Sequence, residues 1–214
     1  MPEDGGMRDH NSDALHDEKR MYSFVEEFAR AKGLEQTLRA LPYVLKMHEG
    51  QYRKGSRAVP YVVHPLMMTC HAISLGLSDD DLLCAALLHD VCEDCNVPVQ
   101  DLPAGDAVRS AVALVTKDFE ALERSEDELA GYYGKISENR IACMVKILDR
   151  CNNISGMAAA FSADKMNEYI AETKYYIYPM MDMIAEKYPE YENAIFLIRY
   201  HMTSVIETVK HGFG

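Results

Sequence analysis

The sequence lacks any run of 18 or more apolar residues, so it offers no membrane-spanning helix. No apolar segment follows Met1-Pro2-Glu3-Asp4-Gly5-Gly6, so the start does not read as a secretory signal. Basic charge is scarce: 34 acids stand against 22 lysines and arginines, a net charge of −12. That argues against a nucleic-acid grip spread over the surface, which needs a basic excess. It leaves room for a phosphorylated small molecule, because a few basic residues in one pocket can outweigh the global sign there. Strand-period segments, internal repeats and internal linkers are also missing. What remains is a 214-residue chain of helical periods, long enough for one all-α domain with a full core.

Cysteine is present but sparsely patterned, at positions 70, 84, 92, 95, 143 and 151. Most lie inside apolar helical patterns, which suits reduced core thiols in a cytoplasm. Cys92 and Cys95 form a C-x-x-C, which is half of a zinc site or a redox pair. There is no second C-x-x-C and no thioredoxin-like βαβ pattern around it. The two residues between them, Glu93 and Asp94, carry more information.

Those acids end the most informative stretch, Leu82 to Asp94. It begins as a helix that is apolar nearly all round, which predicts burial. Within six residues it then presents His89, Asp90, Glu93 and Asp94. An unpaired buried carboxylate costs several kcal/mol or more, so this run needs a cation, hydrogen bonds or water. Glu93 follows His89 by four positions and Asp94 follows Asp90 by four, so each pair shares a helix face. Two ligand-type residues with two acids one turn later suit a metal site whose acids handle water. A helix end with solvated acids is the plain alternative.

The rest of the chain supplies candidates for the same site. Residues 1–18 are polar and aperiodic and are expected to form a mobile tail, with a single domain over 19–214. Helices are expected from Met21 to Arg30 and from Leu34 to His48. The loop after Gly50 carries Arg53, Lys54, Ser56 and Arg57, three bases in five residues, and reads as an anion pocket or a solvated basic loop. Pro65 predicts a helix start that fixes His64 at its entry. Ser78 is the expected cap of the buried helix. A helix over Ser137 to Ile154 is apolar through its middle yet holds Asp149 inside the pattern, with Asn153 four residues on. Asp149 therefore pairs with a base such as Lys146 or Arg150, or binds a metal. A long helix from Ser162 to about Lys187 is expected to kink near Pro179, and Ala194, Ile198, Met202, Val205 and Val209 mark one core-facing side of the last helix. The count is about nine or ten helices.

His64, then His89-Asp90, then Asp149 resemble the H…HD…D signature of the HD-domain phosphohydrolases. The flanking blocks are similar to the hydrolase domain of the RelA/SpoT alarmone enzymes and to the small stand-alone alarmone hydrolases. Those blocks are His48 to Gly55, Pro60-Tyr61-Val62-Val63-His64-Pro65, Ala86 to Asp94, Val115-Thr116-Lys117 and Val145 to Asn153. They span roughly residues 40 to 180. A chain of this length is expected to be hydrolase-only, without a synthetase domain. The resemblance implies an all-α HD bundle and removal of the 3′-pyrophosphate from ppGpp or pppGpp, with Mn²⁺. It implies His64, His89, Asp90 and Asp149 as metal ligands, a donor set that also suits Fe or Zn. It implies Glu93 and Asp94 as the catalytic acid pair. Arg53, Lys54, Ser56, Asn153, Lys117 and Lys165 are the implied substrate contacts. The sequence departs from the family where Cys151-Asn152-Asn153 stands for Leu-His-Asn, where Ser155-Gly156-Met157 lacks an arginine, and in the placing of Tyr175, Tyr176 and Tyr178. These departures touch base recognition and leave every implied metal ligand and both acids in place. A 3′-pyrophosphorylated adenine nucleotide, NADPH, and an antitoxin-like role against a synthetase partner stay open, as does a homo-oligomer. Nucleic acid and membrane are not expected partners.

Overall fold

The computed structural model describes residues 16–53, 59–117 and 126–212. Its helices are α1 Glu18–Lys32, α2 Glu35–Met47, α3 Val63–Ser74, α4 Asp80–Leu88, α5 Val91–Cys95, α6 Asp106–Val115, α7 Glu126–Ser137, α8 Arg140–Ala160, α9 Ala163–Glu172, α10 Tyr178–Lys187 and α11 Glu192–Gly212. Helix α4 runs into α5 through His89 and Asp90, and α9 into α10 through a π-turn at Thr173–Ile177. Counted as continuous runs, the described residues hold nine helices and no strand, with one isolated bridge between Tyr52 and Pro60. The all-α expectation and its helix count are met. Most of the tail expected over 1–18 lies outside the described residues.

Two helices organise the rest. Every residue of α4 from Leu82 to Leu88 is buried, and α4 packs on α2, α3, α6 and α8. Helix α8 is buried from Ile141 to Cys151 and packs on α3, α4, α6, α7 and α11. Burying each large apolar side chain of α4 contributes about 1.5–3 kcal/mol, so this helix cannot swing outward. Its cap is Asp79, not Ser78: the Asp79 Oδ1 accepts from the amides of Asp81 (3.0 Å) and Leu82 (3.3 Å). The next residue, Asp80, caps a different helix. Its carboxylate accepts from the Gln36 amide (2.9 Å) and from the Thr37 amide (2.8 Å) and hydroxyl (2.7 Å). Orphan N–H groups at the start of α2 are thereby satisfied by α4, and the two helices are locked in register.

The expected bend near Pro179 is the π-turn. Proline has no N–H for the carbonyl one turn back, and a wider turn just before it absorbs that loss. Just before the bend, Glu172 meets Arg150, a fully buried arginine on α8. Arg150 Nη2 lies 2.5 Å from Glu172 Oε1 and 3.0 Å from the Tyr133 hydroxyl, and its guanidinium sits 4.1 Å from the Tyr169 ring centre. The Tyr133 hydroxyl also donates to Glu172. One ion pair thus ties α7, α8 and α9.

Burial alone would raise the Glu172 carboxyl, but Arg150 outweighs it and holds it below the usual carboxylate range. A depressed carboxyl contributes stability that is complete above its unfolded value and lost as pH falls through its folded value. Glu172→Ala is expected to cost about 3–5 kcal/mol in urea unfolding at pH 7, because Arg150 is left buried and unpaired. The gap between wild type and variant should close as pH is lowered below about 4. A gap that stays constant with pH would contradict this account of the pair.

Candidate metal centre

Three helices bring the candidate ligands together. His64 lies in the first turn of α3, His89 and Asp90 at the α4–α5 junction, and Asp149 in the middle of α8. The two imidazoles meet edge to face with ring centres 5.1 Å apart. His89 Nε2 lies 2.9 Å from Asp90 Oδ2, and His64 Nε2 lies 3.5 Å from the same oxygen and 3.4 Å from Asp149 Oδ1. Ligand atoms of His64, His89 and Asp90 all fall within 4.8 Å of one another, the group of this kind found among the described residues. Asp149 joins it through His64 rather than through all three.

The donor chemistry fits a cation. The far nitrogen of each ring is occupied: His89 Nδ1 lies 2.9 Å from the Ala86 carbonyl and His64 Nδ1 lies 2.6 Å from Asn152 Oδ1. A carbonyl oxygen only accepts, so each Nδ1 donates, which leaves each Nε2 on the side where a cation would take it in place of any proton. His89 Nε2 is buried and makes no hydrogen bond despite its nearness to Asp90. Two atoms each about 2.1 Å from one ion, at tetrahedral or octahedral angles, sit about 3.0–3.4 Å apart. The three spacings of 2.9, 3.4 and 3.5 Å lie within about 0.1 Å of that range.

Charge is balanced around the cluster. Burial opposes a proton on His89, but the adjacent Asp90 carboxylate prevails and holds its pKa up at about 9. Burial would likewise raise Asp90, yet the His89 and His64 imidazoles hold it far below the usual range. Asp149 is depressed too, chiefly by Lys146 against its burial. Lys146 Nζ lies 2.8 Å from Asp149 Oδ2, so the ion pair weighed for Asp149 is present. One oxygen takes the lysine and the other faces His64. The Tyr61 hydroxyl donates to Asp90 Oδ2 at 2.5 Å.

The acid pair sits one turn on. Glu93 Oε2 accepts from the Lys117 amide at 2.9 Å, and burial pushes the Glu93 carboxyl up. Asp94 is exposed, and its backbone carbonyl accepts from Gln51 at 3.4 Å. Arg53 Nη2 donates to Asn153 Oδ1 at 3.1 Å, and Asn153 Nδ2 donates to Asp149 Oδ1 at 2.6 Å. Two of the base-contact candidates, Arg53 and Asn153, are therefore linked by hydrogen bonds to Asp149. The Lys117 ammonium lies over the Tyr132 ring, and burial with Lys146 nearby brings its pKa down to about 8. Lys165 stands apart, exposed on α9 and paired with Glu168 at 2.9 Å. Lys54 and Ser56 lie outside the described residues. Cys92 and Cys95 flank Glu93 and Asp94 as free thiols outside the ligand group. Tyr61 and Asn152 were not singled out from sequence as site residues. A tyrosine three residues before His64 and a polar residue three after Asp149 are the signals that point to them.

No family model matches the chain. Curated relatives do. It is 30% identical over 145 residues to a guanosine-3′,5′-bis(diphosphate) 3′-pyrophosphohydrolase of Aquifex aeolicus, covering 65% of this chain and 20% of that one. It is 30% identical over 120 residues to the enzyme of that name, MESH1, of Drosophila melanogaster, covering 55% and 66%. To MESH1 of Xenopus tropicalis it is 29% identical over 139 residues, covering 62% and 77%. The chain resembles the RelA/SpoT-type 3′-pyrophosphohydrolases. It spans about a fifth of the length of the bacterial relative. A solved structure of a metazoan orthologue of SpoT, described as hydrolysing ppGpp, shares the fold with a TM-score of 0.63 at 20% identity, over 81% of this chain and 94% of that one.

Asp149 anchors Lys146 as well as facing His64, so its loss should damage the metal-free protein. In chelator, Asp149→Ala is expected to lower stability by about 3–5 kcal/mol in urea, with most recovered by Lys146→Met combined with Asp149→Leu. An Asp149→Ala protein as stable as wild type would show that Lys146 does not depend on it.

Proposed function

We propose that this protein removes the 3′-pyrophosphate of ppGpp or pppGpp, giving GDP or GTP and pyrophosphate, with one divalent metal held by His64, His89, Asp90 and Asp149. The observation that carries the reading is the grouping of His64, His89 and Asp90, whose ligand atoms lie within 4.8 Å of one another, with Asp149 Oδ1 3.4 Å from His64 Nε2 and an acid pair one turn beyond. The relatives named above supply the substrate class. Imidazole and carboxylate together suit Mn²⁺, with Fe and Zn as alternatives, better than Mg²⁺. When bound, the metal supplies Lewis-acid polarisation of a phosphoryl oxygen and acidifies water.

The chain's own residues do the rest. Glu93 and Asp94 orient the attacking water and take its proton. The water oxygen bonds to the phosphorus attached to O3′, the O3′–P bond breaks, and the leaving O3′ takes up a proton to become the ribose hydroxyl, balancing the proton lost by the water. Glu93 is held for this by the Lys117 amide, which leaves its second oxygen for water. The Lys117 side chain offers charge to the pyrophosphate, and Arg53 with Asn153 flanks the nucleoside. We place Lys54 and Ser56 in that contact as well. Lys165, paired with Glu168, contributes at most to the outer edge of the site. The adenine, NADPH and antitoxin alternatives gain no support from the named relatives. The six cysteines as free thiols suit a cytoplasmic setting, and no helix among the described residues is long and apolar enough to cross a membrane.

The test is pyrophosphate release from ppGpp with Mn²⁺, with chelator, and with Asp90→Ala. Release is expected only in the first. Glu93→Gln and Asp94→Asn should each lose about 10²–10⁴-fold in kcat while retaining the metal. No release by a protein shown to hold its metal would overturn the assignment.

A further inference from the structure

We propose that Asn152 is a positioning residue that commits His64 to metal ligation, an inference that rests on the metal centre described above. Asn152 lies three residues after Asp149 on α8, on the same side of the helix. Its Oδ1 is 2.6 Å from His64 Nδ1. The amide oxygen can only accept, so the ring nitrogen facing it must carry the proton. In a neutral imidazole the other nitrogen then has a lone pair. That nitrogen, Nε2, faces Asp90 and Asp149 oxygens at 3.5 and 3.4 Å.

The alternative tautomer explains why Asn152 matters. Two carboxylate oxygens beside Nε2 are strong acceptors and would draw the ring proton to their side, where it blocks ligation. The His64 side chain is 1% exposed, so water cannot replace a lost acceptor at Nδ1. Asn152 is the group that pulls the proton the other way. The neighbouring Asn153 cannot substitute, since its amide is spent on Asp149 and Arg53. Helix α8 thus supplies one ligand directly, through Asp149, and aligns a second through Asn152. The amide does this without adding another negative charge to a cluster that already holds two carboxylates.

The experiment uses the full chain, Mn²⁺ alone and two variants. Asn152→Leu keeps the shape and removes the acceptor; Asn152→Asp keeps an acceptor. Long-range nitrogen–proton NMR of the metal-free proteins reads the His64 tautomer, and calorimetric titration reads Mn²⁺ affinity. The wild type is expected to hold the proton on Nδ1 and Asn152→Leu on Nε2, with Mn²⁺ bound about 10–100-fold more weakly. Asn152→Asp should restore both the tautomer and binding close to wild type. Asn152→Leu with the wild-type tautomer overturns the proposal, whatever its affinity, because any weakening is then merely structural. Should wild type bind no Mn²⁺, the metal centre itself fails, and the tautomer comparison still decides the role of Asn152. Should Asn152→Leu not fold, failure of Asn152→Asp to keep the proton on Nδ1 overturns the proposal by itself.

Discussion

Buried negative charge is the constraint on which the rest depends. Asp90 and Asp149 sit in the middle of an apolar bundle, and each must be compensated where it stands. The molecule does this with four groups of different kinds: two imidazoles, the Lys146 ammonium and the Tyr61 hydroxyl. His89 Nε2 remains buried without a hydrogen bond, and a divalent cation is the group that would satisfy it and both carboxylates together.

Helix α8 resolves a second conflict. Adjacent residues Asp149 and Arg150 have opposite charges and point to different neighbours. Asp149 turns to His64 and Lys146, while Arg150 turns to Glu172, Tyr133 and Tyr169. Neither neutralises the other, so each is free to organise its own side of the helix. The Arg150 side fixes α7 and α9, and the packing of α4 against α8 fixes the His89–Asp90 junction. Stability and chemistry are thus mounted on one element and separated by about 100° of helical rotation.

Much of this was legible in the sequence, for identifiable reasons. The run Leu82 to Leu88 is too apolar to be anywhere but inside, and a charged residue at its end had to be functional or paired. Asp149 was visible by the same logic. Less legible was anything that needs two distant segments. Asp80 capping α2 cannot be read from α4 alone, because the amides it serves lie more than forty residues away. The division of Asp149 between Lys146 and His64 needs atoms rather than residues. Asn152 and Tyr61 escaped because single polar residues beside a motif look alike until the partner nitrogen or oxygen is located. Lys165 shows the reverse limit: a lysine on the right helix pairs locally with Glu168.

The most direct measurement is anomalous diffraction at the manganese edge from crystals of the Mn²⁺-loaded protein. The account predicts one strong peak about 2.0–2.3 Å from His64 Nε2, His89 Nε2 and one carboxylate oxygen each of Asp90 and Asp149. A peak elsewhere, for instance beside Cys92, Cys95 and His48, or none in a crystal that contains the metal, would contradict it.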